Sequence, residues 1–195
     1  MSPQLKICGI NNAAFAAEAE RLGADYLGLI FAPGTPRNVT VDQAIEIVRG
    51  LSGRARRVGV FVKQAPEEIL SIVRTVGLNV VQLHRRATPE DVVALQREGL
   101  EVWTLAGGAP GDGVLFDSSH GDGETAFRRG PWTSILAGGI SSDNLDEALR
   151  LGPDVVDVSG SLESVRGVKS IPLLQAFMRI WKSRSSTIKD FCYTI

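Results

Sequence analysis

Cysteine and histidine are scarce in this sequence, with only two of each. The two cysteines, Cys8 and Cys192, are too few for a disulfide framework, and no cysteine and histidine cluster has metal-ligand spacing. We therefore expect no metal site. Unpaired cysteines are typical of a reducing compartment, which predicts a cytoplasmic protein.

Long apolar runs and a dominant charge are also lacking. No apolar run approaches the roughly 18 residues of a membrane span, and residues 1–6 lack the apolar segment of a secretory signal. A formal net charge of -1 gives no overall attraction to nucleic acid or membrane. With 44% hydrophobic and 22% charged residues, the chain is expected to form a single soluble domain over 1–195, with 183–195 as a C-terminal extension.

Short β-rich runs alternate with helical patterns along the chain. The runs begin near Leu5, Tyr26, Arg57, Val80, Glu101, Gly113, Ser134 and Val155. Helices are predicted between most of them, at 15–22, 41–50, 66–76, 89–98, 143–151 and 171–181. This alternation predicts a parallel α/β sheet, and the count of eight favours a closed (β/α)₈ TIM barrel. An open doubly wound sheet, usually with five or six strands, is the alternative.

One crossover is too short and too rich in glycine for a helix. Residues 106–112 read Ala-Gly-Gly-Ala-Pro-Gly-Asp between the fifth and sixth strands. We expect the fifth helix of the barrel to be missing there, which explains a chain shorter than most such barrels. The helix after the sixth strand, at 124–128, is also predicted to be short.

Chemically active side chains stand where the predicted strands end. Cys8 ends the first strand, His84 the fourth and Asp117 the sixth, while Arg37 follows the second. In a parallel barrel these positions meet on one face, where catalytic groups gather. Singly, each has a plain alternative as a buried thiol, a strand-end imidazole, a loop cap or a solvated charge. Their convergence favours the functional interpretation.

Glycine-rich loops follow the last two strands. Gly138 and Gly139 follow the seventh, and Asp157, Ser159 and Gly160 lie at the end of the eighth. Backbone N–H groups without a neighbouring Cβ can approach phosphate oxygens closely, and this is the recurrent phosphate site of the fold. The alternative is that these glycines serve only the turns.

Seven motifs together resemble the phosphoribosylanthranilate isomerase family of tryptophan biosynthesis, in order and spacing, from residue 5 to about residue 181. They are Lys6-Ile7-Cys8-Gly9, Gly28-Leu29-Ile30-Phe31 with Pro36-Arg37-Asn38-Val39, Val58-Gly59-Val60-Phe61-Val62, Val81-Gln82-Leu83-His84, Phe116-Asp117-Ser118, Leu136-Ala137-Gly138-Gly139-Ile140 and Asp157-Val158-Ser159.

The resemblance implies an Amadori rearrangement of N-(5-phosphoribosyl)anthranilate to the corresponding 1-amino-1-deoxyribulose 5-phosphate. It implies that Asp117 is the general acid, that Cys8 is the general base, and that Arg37 holds the anthranilate carboxylate. The remaining residues at the strand ends are also expected to bind substrate, and they are His84, Gly138, Gly139, Asp157, Ser159 and Gly160. No cofactor is implied. We expect the protein to be a monomer rather than a homodimer. Its expected ligand is a small-molecule substrate, a phosphorylated aminosugar.

Other functions stay open because some positions depart from the family pattern, among them Arg85, Glu124 and Gly160. One alternative is a catalytically weak barrel that binds a phosphorylated ligand. Another is a different sugar-phosphate isomerase of the same fold. Against the histidine-pathway isomerase stands Cys8, since that enzyme uses paired aspartates. Against a pentose-phosphate epimerase stands the lack of metal-type clustering.

Overall fold

Eight parallel strands close into a barrel, in which every strand pairs with the next along the chain and the eighth pairs with the first. The computed structural model describes residues 2–118 and 127–191. The barrel strands are β1 Gln4–Cys8, β2 Tyr26–Phe31, β3 Arg56–Phe61, β4 Val80–Leu83, β5 Glu101–Leu105, β6 Gly113–Asp117, β7 Thr133–Ala137 and β8 Val155–Val158. The expectation of a closed barrel rather than an open sheet is confirmed.

Helices surround the barrel, and most begin where the sequence places a cap. Asn12 accepts the N–H of Phe15 at 3.0 Å, and Thr40 and Thr88 each form a capping box with the third helical residue. The α-helices in the described ranges are α1 Ala13–Leu22, α2 Val41–Arg49, α3 Pro66–Val76, α4 Pro89–Gln96, α5 Leu145–Arg150 and α6 Ile171–Phe191, and a 3₁₀ helix covers Gly160–Leu162.

The crossover from β5 to β6 contains no helix, as predicted for residues 106–112. It lies flat against the barrel, where Asp112 donates its N–H to the carbonyl of Val102 at 2.8 Å. A Cβ on Gly111 would collide with that same carbonyl oxygen, so the close approach requires glycine. The short helix predicted at 124–128 falls largely on 119–126, outside the described residues.

The C-terminal part of the chain differs from the prediction in two ways. Helix α6 continues to Phe191, beyond the end predicted at 181, because residues 182–191 contain no glycine or proline to stop it. Between β8 and α6 lies an unpredicted antiparallel hairpin, made of β9 Glu163–Val165 and β10 Val168–Lys169. Over the described ranges, no helix has the length and apolar character needed to cross a membrane.

The apolar core lies in two layers. The inner layer fills the barrel with residues such as Val58, Val80 and Trp103, and the outer layer packs residues such as Phe15 and Phe177 between barrel and helices. Register places Lys6 of β1 directly beside Asp157 of β8. Both side chains are buried, so this pair brings charge into an otherwise apolar interior.

Aspartate or asparagine side chains close the amino-terminal end of the barrel in a repeated way. Each stands directly before an even-numbered strand and accepts a backbone N–H from the beginning of the preceding odd-numbered strand. The four bonds run from Leu5 to Asp25 at 2.8 Å, from Arg57 to Asn79 at 2.9 Å, from Val102 to Asp112 at 2.9 Å and from Ser134 to Asp154 at 2.8 Å. These bonds join the strands in pairs, because each gives an acceptor to a backbone N–H group at the beginning of a strand.

Candidate active site

A cavity of about 510 Å³ opens at the carboxyl ends of the strands. This volume is within the range of small-molecule pockets. The structure brings together in its lining every residue that the sequence singled out, which are Cys8, Arg37, His84, Asp117, Gly138, Gly139, Asp157, Ser159 and Gly160.

The thiol of Cys8 lies at the floor of the cavity. Cys8 is 8% exposed, and its register partner on β2 is Gly28. A Cβ on Gly28 would lie 2.8 Å from the Cys8 sulfur. A larger residue at position 28 would therefore displace the thiol. Glycine inside an otherwise apolar strand was the sequence signal for this close approach.

Below Cys8 lies the buried ion pair of Lys6 and Asp157. The Lys6 Nζ is 2.6 Å from Asp157 Oδ2. Burial works against the charged ammonium, but the carboxylate outweighs it and raises the pKa of Lys6. Burial also raises the pKa of the Cys8 thiol, and the positive charge of Lys6 opposes that rise. The positive charge of Lys6 therefore favours the thiolate form of Cys8.

An imidazole stands beside the carboxylate of Asp117. The His84 Nε2 lies 3.9 Å from Asp117 Oδ2, and Gln82 Nε2 lies 3.4 Å from His84 Nδ1. Among the described residues, Gln82 Oε1 and Asp157 Oδ1 are buried acceptors without a hydrogen-bond partner. Both residues line the cavity, so a ligand with hydroxyl groups would satisfy them.

The guanidinium of Arg37 is held by a carboxylate from the β9–β10 hairpin. Arg37 donates to Glu163 through Nε at 2.7 Å and through Nη2 at 2.9 Å. Lys169 Nζ lies 3.0 Å from Glu163 and also donates to the carbonyl of Ser159 at 2.9 Å. Burial alone would raise the pKa of Glu163, but the Arg37, Gly167 and Lys169 donors hold it at about 2. This network keeps Arg37 fixed at the cavity wall.

The two glycine-rich loops form another part of the wall, and the loop after β8 lies beside Arg37, because a Cβ on Gly160 would lie 3.4 Å from the Arg37 guanidinium. Gly138 and Gly139 have φ values of 94° and 65°, in the left-handed region that favours glycine. A Cβ on Gly139 would meet no atom within 4 Å, which leaves its backbone approachable. The Ser159 hydroxyl donates to the carbonyl of Cys8 at 3.0 Å, so the loop after β8 is fastened to the strand that carries the thiol.

Sequence reasoning missed Lys6, Gln82, Glu163 and Lys169 as parts of this site. For Lys6 and Gln82 a signal existed, because each stands two residues before a strand-end site residue and so faces the same side. For Glu163 no local signal existed. Arg85, one of the departures from the family pattern, donates to Asp91 at 2.6 and 2.8 Å. It is absent from the described cavity lining.

A closed parallel barrel with ionisable groups and glycine loops at its carboxyl end defines a (β/α)₈-barrel enzyme. Within the ranges that the structure describes, no cluster of three or more histidine, cysteine, aspartate or glutamate residues could hold a metal ion.

Comparison with known proteins identifies the family. A family model described as N-(5'-phosphoribosyl)anthranilate isomerase matches residues 5–179. The enzyme of that name from Granulibacter bethesdensis is 33% identical, over 91% of this chain and 97% of its own. The enzyme from Rubrobacter xylanophilus is 36% identical, over 92% and 99%. The crystal structure of phosphoribosyl anthranilate isomerase from Thermus thermophilus superposes with a TM-score of 0.81 at 35% identity, covering 92% of this chain and 98% of that one.

The chain belongs to the N-(5'-phosphoribosyl)anthranilate isomerase family. Its role is therefore the intramolecular isomerisation in tryptophan biosynthesis that the sequence motifs implied.

Proposed function

We propose that this chain performs the Amadori rearrangement of N-(5-phosphoribosyl)anthranilate with Cys8 as general base and Asp117 as general acid. The observation that carries this assignment is that both residues line one cavity together with Arg37 and the two glycine-rich loops. An acid, a base and two sites for anions are the groups that this reaction needs.

The first step opens the sugar ring. Protonated Asp117 donates its proton to the ring oxygen, the bond from C1 to that oxygen breaks, and the nitrogen lone pair forms the C1–N double bond. The product is a protonated Schiff base with a hydroxyl at C4, and Asp117 is left as a carboxylate. His84, whose Nε2 lies 3.9 Å from Asp117 Oδ2, can accept or donate a proton beside it according to its charge state.

The second step moves a proton from carbon. The Cys8 thiolate removes the C2 proton, and the electrons of that bond neutralise the iminium to give an enolamine. Protonation at C1 and loss of the C2 hydroxyl proton then give the ketone. Burial raises the pKa of Cys8, while the charges of Lys6 and Lys169 pull it down. The reactive thiolate thus depends on its cationic neighbours.

Substrate binding uses two groups of donors in the cavity lining. Arg37 retains N–H groups beyond the two bonded to Glu163, and these suit the anthranilate carboxylate. The backbone of Gly138, Gly139, Ser159 and Gly160 suits the phosphate. One relative, 27% identical with a TM-score of 0.78, was solved with reduced 1-(o-carboxyphenylamino)-1-deoxyribulose 5-phosphate, a ligand with both anionic groups.

The test is conversion of N-(5-phosphoribosyl)anthranilate by the purified chain, alongside growth of a tryptophan auxotroph that lacks the isomerase. Turnover and growth support the proposal. Binding of the reduced product analogue without turnover would instead favour the catalytically weak barrel. Within an active protein, Arg37→Ala should raise KM with little change in kcat, because Arg37 orients the carboxylate and moves no proton.

We also propose that the chain acts as a monomer in the cytoplasm. All proposed site residues come from one chain, and Cys8 is a free thiol, which a reducing compartment preserves. Sedimentation equilibrium with enzyme activity across the gradient tests the first statement, and cell fractionation tests the second. A dimer whose dissociation abolishes activity would contradict the proposal that the chain acts as a monomer.

A further inference from the structure

The turn between β9 and β10 is a fixed part of the cavity wall. The Gly167 carbonyl accepts from Asn11 Nδ2 at 2.9 Å, and the Gly167 N–H donates to Glu163 at 2.9 Å. A Cβ on Gly167 would lie 2.7 Å from the side chain of Pro36. The turn is therefore locked between the loops that follow β1 and β2, and it carries Arg166 at the end of the cavity where Arg37 lies.

The other cations at this end are already paired with a carboxylate. Arg37 and Lys169 both contact Glu163, whose side chain is only 3% exposed. With its pKa at about 2, Glu163 carries a full negative charge at neutral pH. Because Arg37 and Lys169 share this one negative charge, the charge of Arg37 is partly offset before any substrate binds.

Arg166 differs from these two cations. It lines the cavity, is exposed, and forms no hydrogen bond or ion pair with any part of the chain that the structure describes. A cation at a pocket mouth without a protein partner is available to an anionic group of the ligand.

We propose that Arg166 is a specificity-determining residue that supplies a positive charge without a carboxylate partner for the substrate's aromatic carboxylate. Arg37, held by Glu163, supplies fixed donors to that carboxylate, and Arg166 adds a positive charge that attracts it. The inference rests on the proposed function, because it takes the Arg37 end of the cavity to be the carboxylate end.

The experiment compares two ligands that differ in one group. The reduced 1-(2-carboxyphenylamino)-1-deoxyribulose 5-phosphate carries the carboxylate, and its phenylamino counterpart lacks it. Dissociation constants for both are measured by calorimetry on the wild type, Arg166→Ala and Arg166→Lys. Arg49→Ala, an exposed change of equal charge in the last turn of α2, is the matched control.

Arg166→Ala should weaken binding of the carboxylated ligand about three- to tenfold, as expected for an exposed ion pair strengthened by hydrogen bonds. It should leave the other ligand unchanged. Arg166→Lys should recover most of the loss, and added salt should narrow the difference. Arg49→Ala should change neither constant.

Equal weakening of both ligands by Arg166→Ala, or no weakening of either, would overturn the proposal. So would the same loss in Arg49→Ala. These outcomes are independent of wild-type turnover of N-(5-phosphoribosyl)anthranilate, whose absence would instead contradict the proposed function.

Discussion

The two ends of the barrel use polar side chains in opposite ways. At the amino end, four side chains accept hydrogen bonds from backbone N–H groups of neighbouring strands, and they are Asp25, Asn79, Asp112 and Asp154. At the carboxyl end, polar side chains converge on a cavity, and the buried acceptors Gln82 Oε1 and Asp157 Oδ1 have no partner among the described residues. One end is built for stability and the other for binding and chemistry.

The largest expected effect is on catalysis, from Asp117→Asn. The amide keeps the shape but has no acidic proton to give to the ring oxygen. We expect kcat to fall by about 10²–10⁴, the usual contribution of a general acid, with an unchanged melting temperature. Asp112→Asn is the matched control, because it makes the same substitution at the amino end of the barrel, and it should leave kcat unchanged. A near-normal kcat in Asp117→Asn would show that the acid is another group.

Lys6→Met should lower the stability of the protein and also impair catalysis, because Lys6 lies fully buried under the cavity. The Asp157 carboxylate would lose its partner, and breaking a buried pair in this way costs about 3–5 kcal/mol of unfolding free energy. A nearby ammonium favours the thiolate, so its loss raises the pKa of Cys8 further. The rise of kcat with pH should therefore move to higher pH.

The double variant Lys6→Met/Asp157→Asn separates these two effects. It removes the unpaired charge, so chemical denaturation should show recovered stability. The pH profile should stay displaced, since Cys8 still lacks its cation. An undisplaced profile in a folded double variant would contradict the assigned role of Lys6.

Asp154→Ala should affect stability alone. The change leaves the N–H of Ser134 without its partner at 2.8 Å, which costs about 1–3 kcal/mol. Denaturant unfolding measures this loss, and kcat per folded molecule should be unchanged. Asp146→Ala is the control, because its ion pair with Arg184 is about half exposed and contributes little. Equal losses in the two variants would remove the contrast between the barrel end and the surface.

The smallest expected effect is that of Gly139→Ala. At φ 65° an alanine costs about 1–2 kcal/mol of strain, and its methyl group would occupy the open space beside a backbone that we propose binds phosphate. We expect KM to rise about tenfold with kcat nearly unchanged. Gly53→Ala has similar strain at φ 83° and equally open space, but lies far from the cavity. An unchanged KM in Gly139→Ala would count against the phosphate placement.

Local pattern was enough to predict the barrel and the convergence of its strand ends. The period of the apolar residues marked the strands, and the glycines of residues 106–112 marked the missing helix. The same reasoning could not find the partner of Arg37, because Glu163 lies 126 residues further along the chain. The β9–β10 hairpin was missed for a related reason, since strands this short carry no readable alternation.

Loss of deuterium from C2 of the substrate tests the role of Cys8 most directly. With N-(5-phosphoribosyl)anthranilate deuterated at C2, the wild type should show a primary isotope effect. Cys8→Ala should lose deuterium at least about 100-fold more slowly while it binds the reduced product analogue as tightly as the wild type does. Deuterium loss from C2 at a near wild-type rate in Cys8→Ala would contradict the account, and Cys8 would then be only a packed strand end.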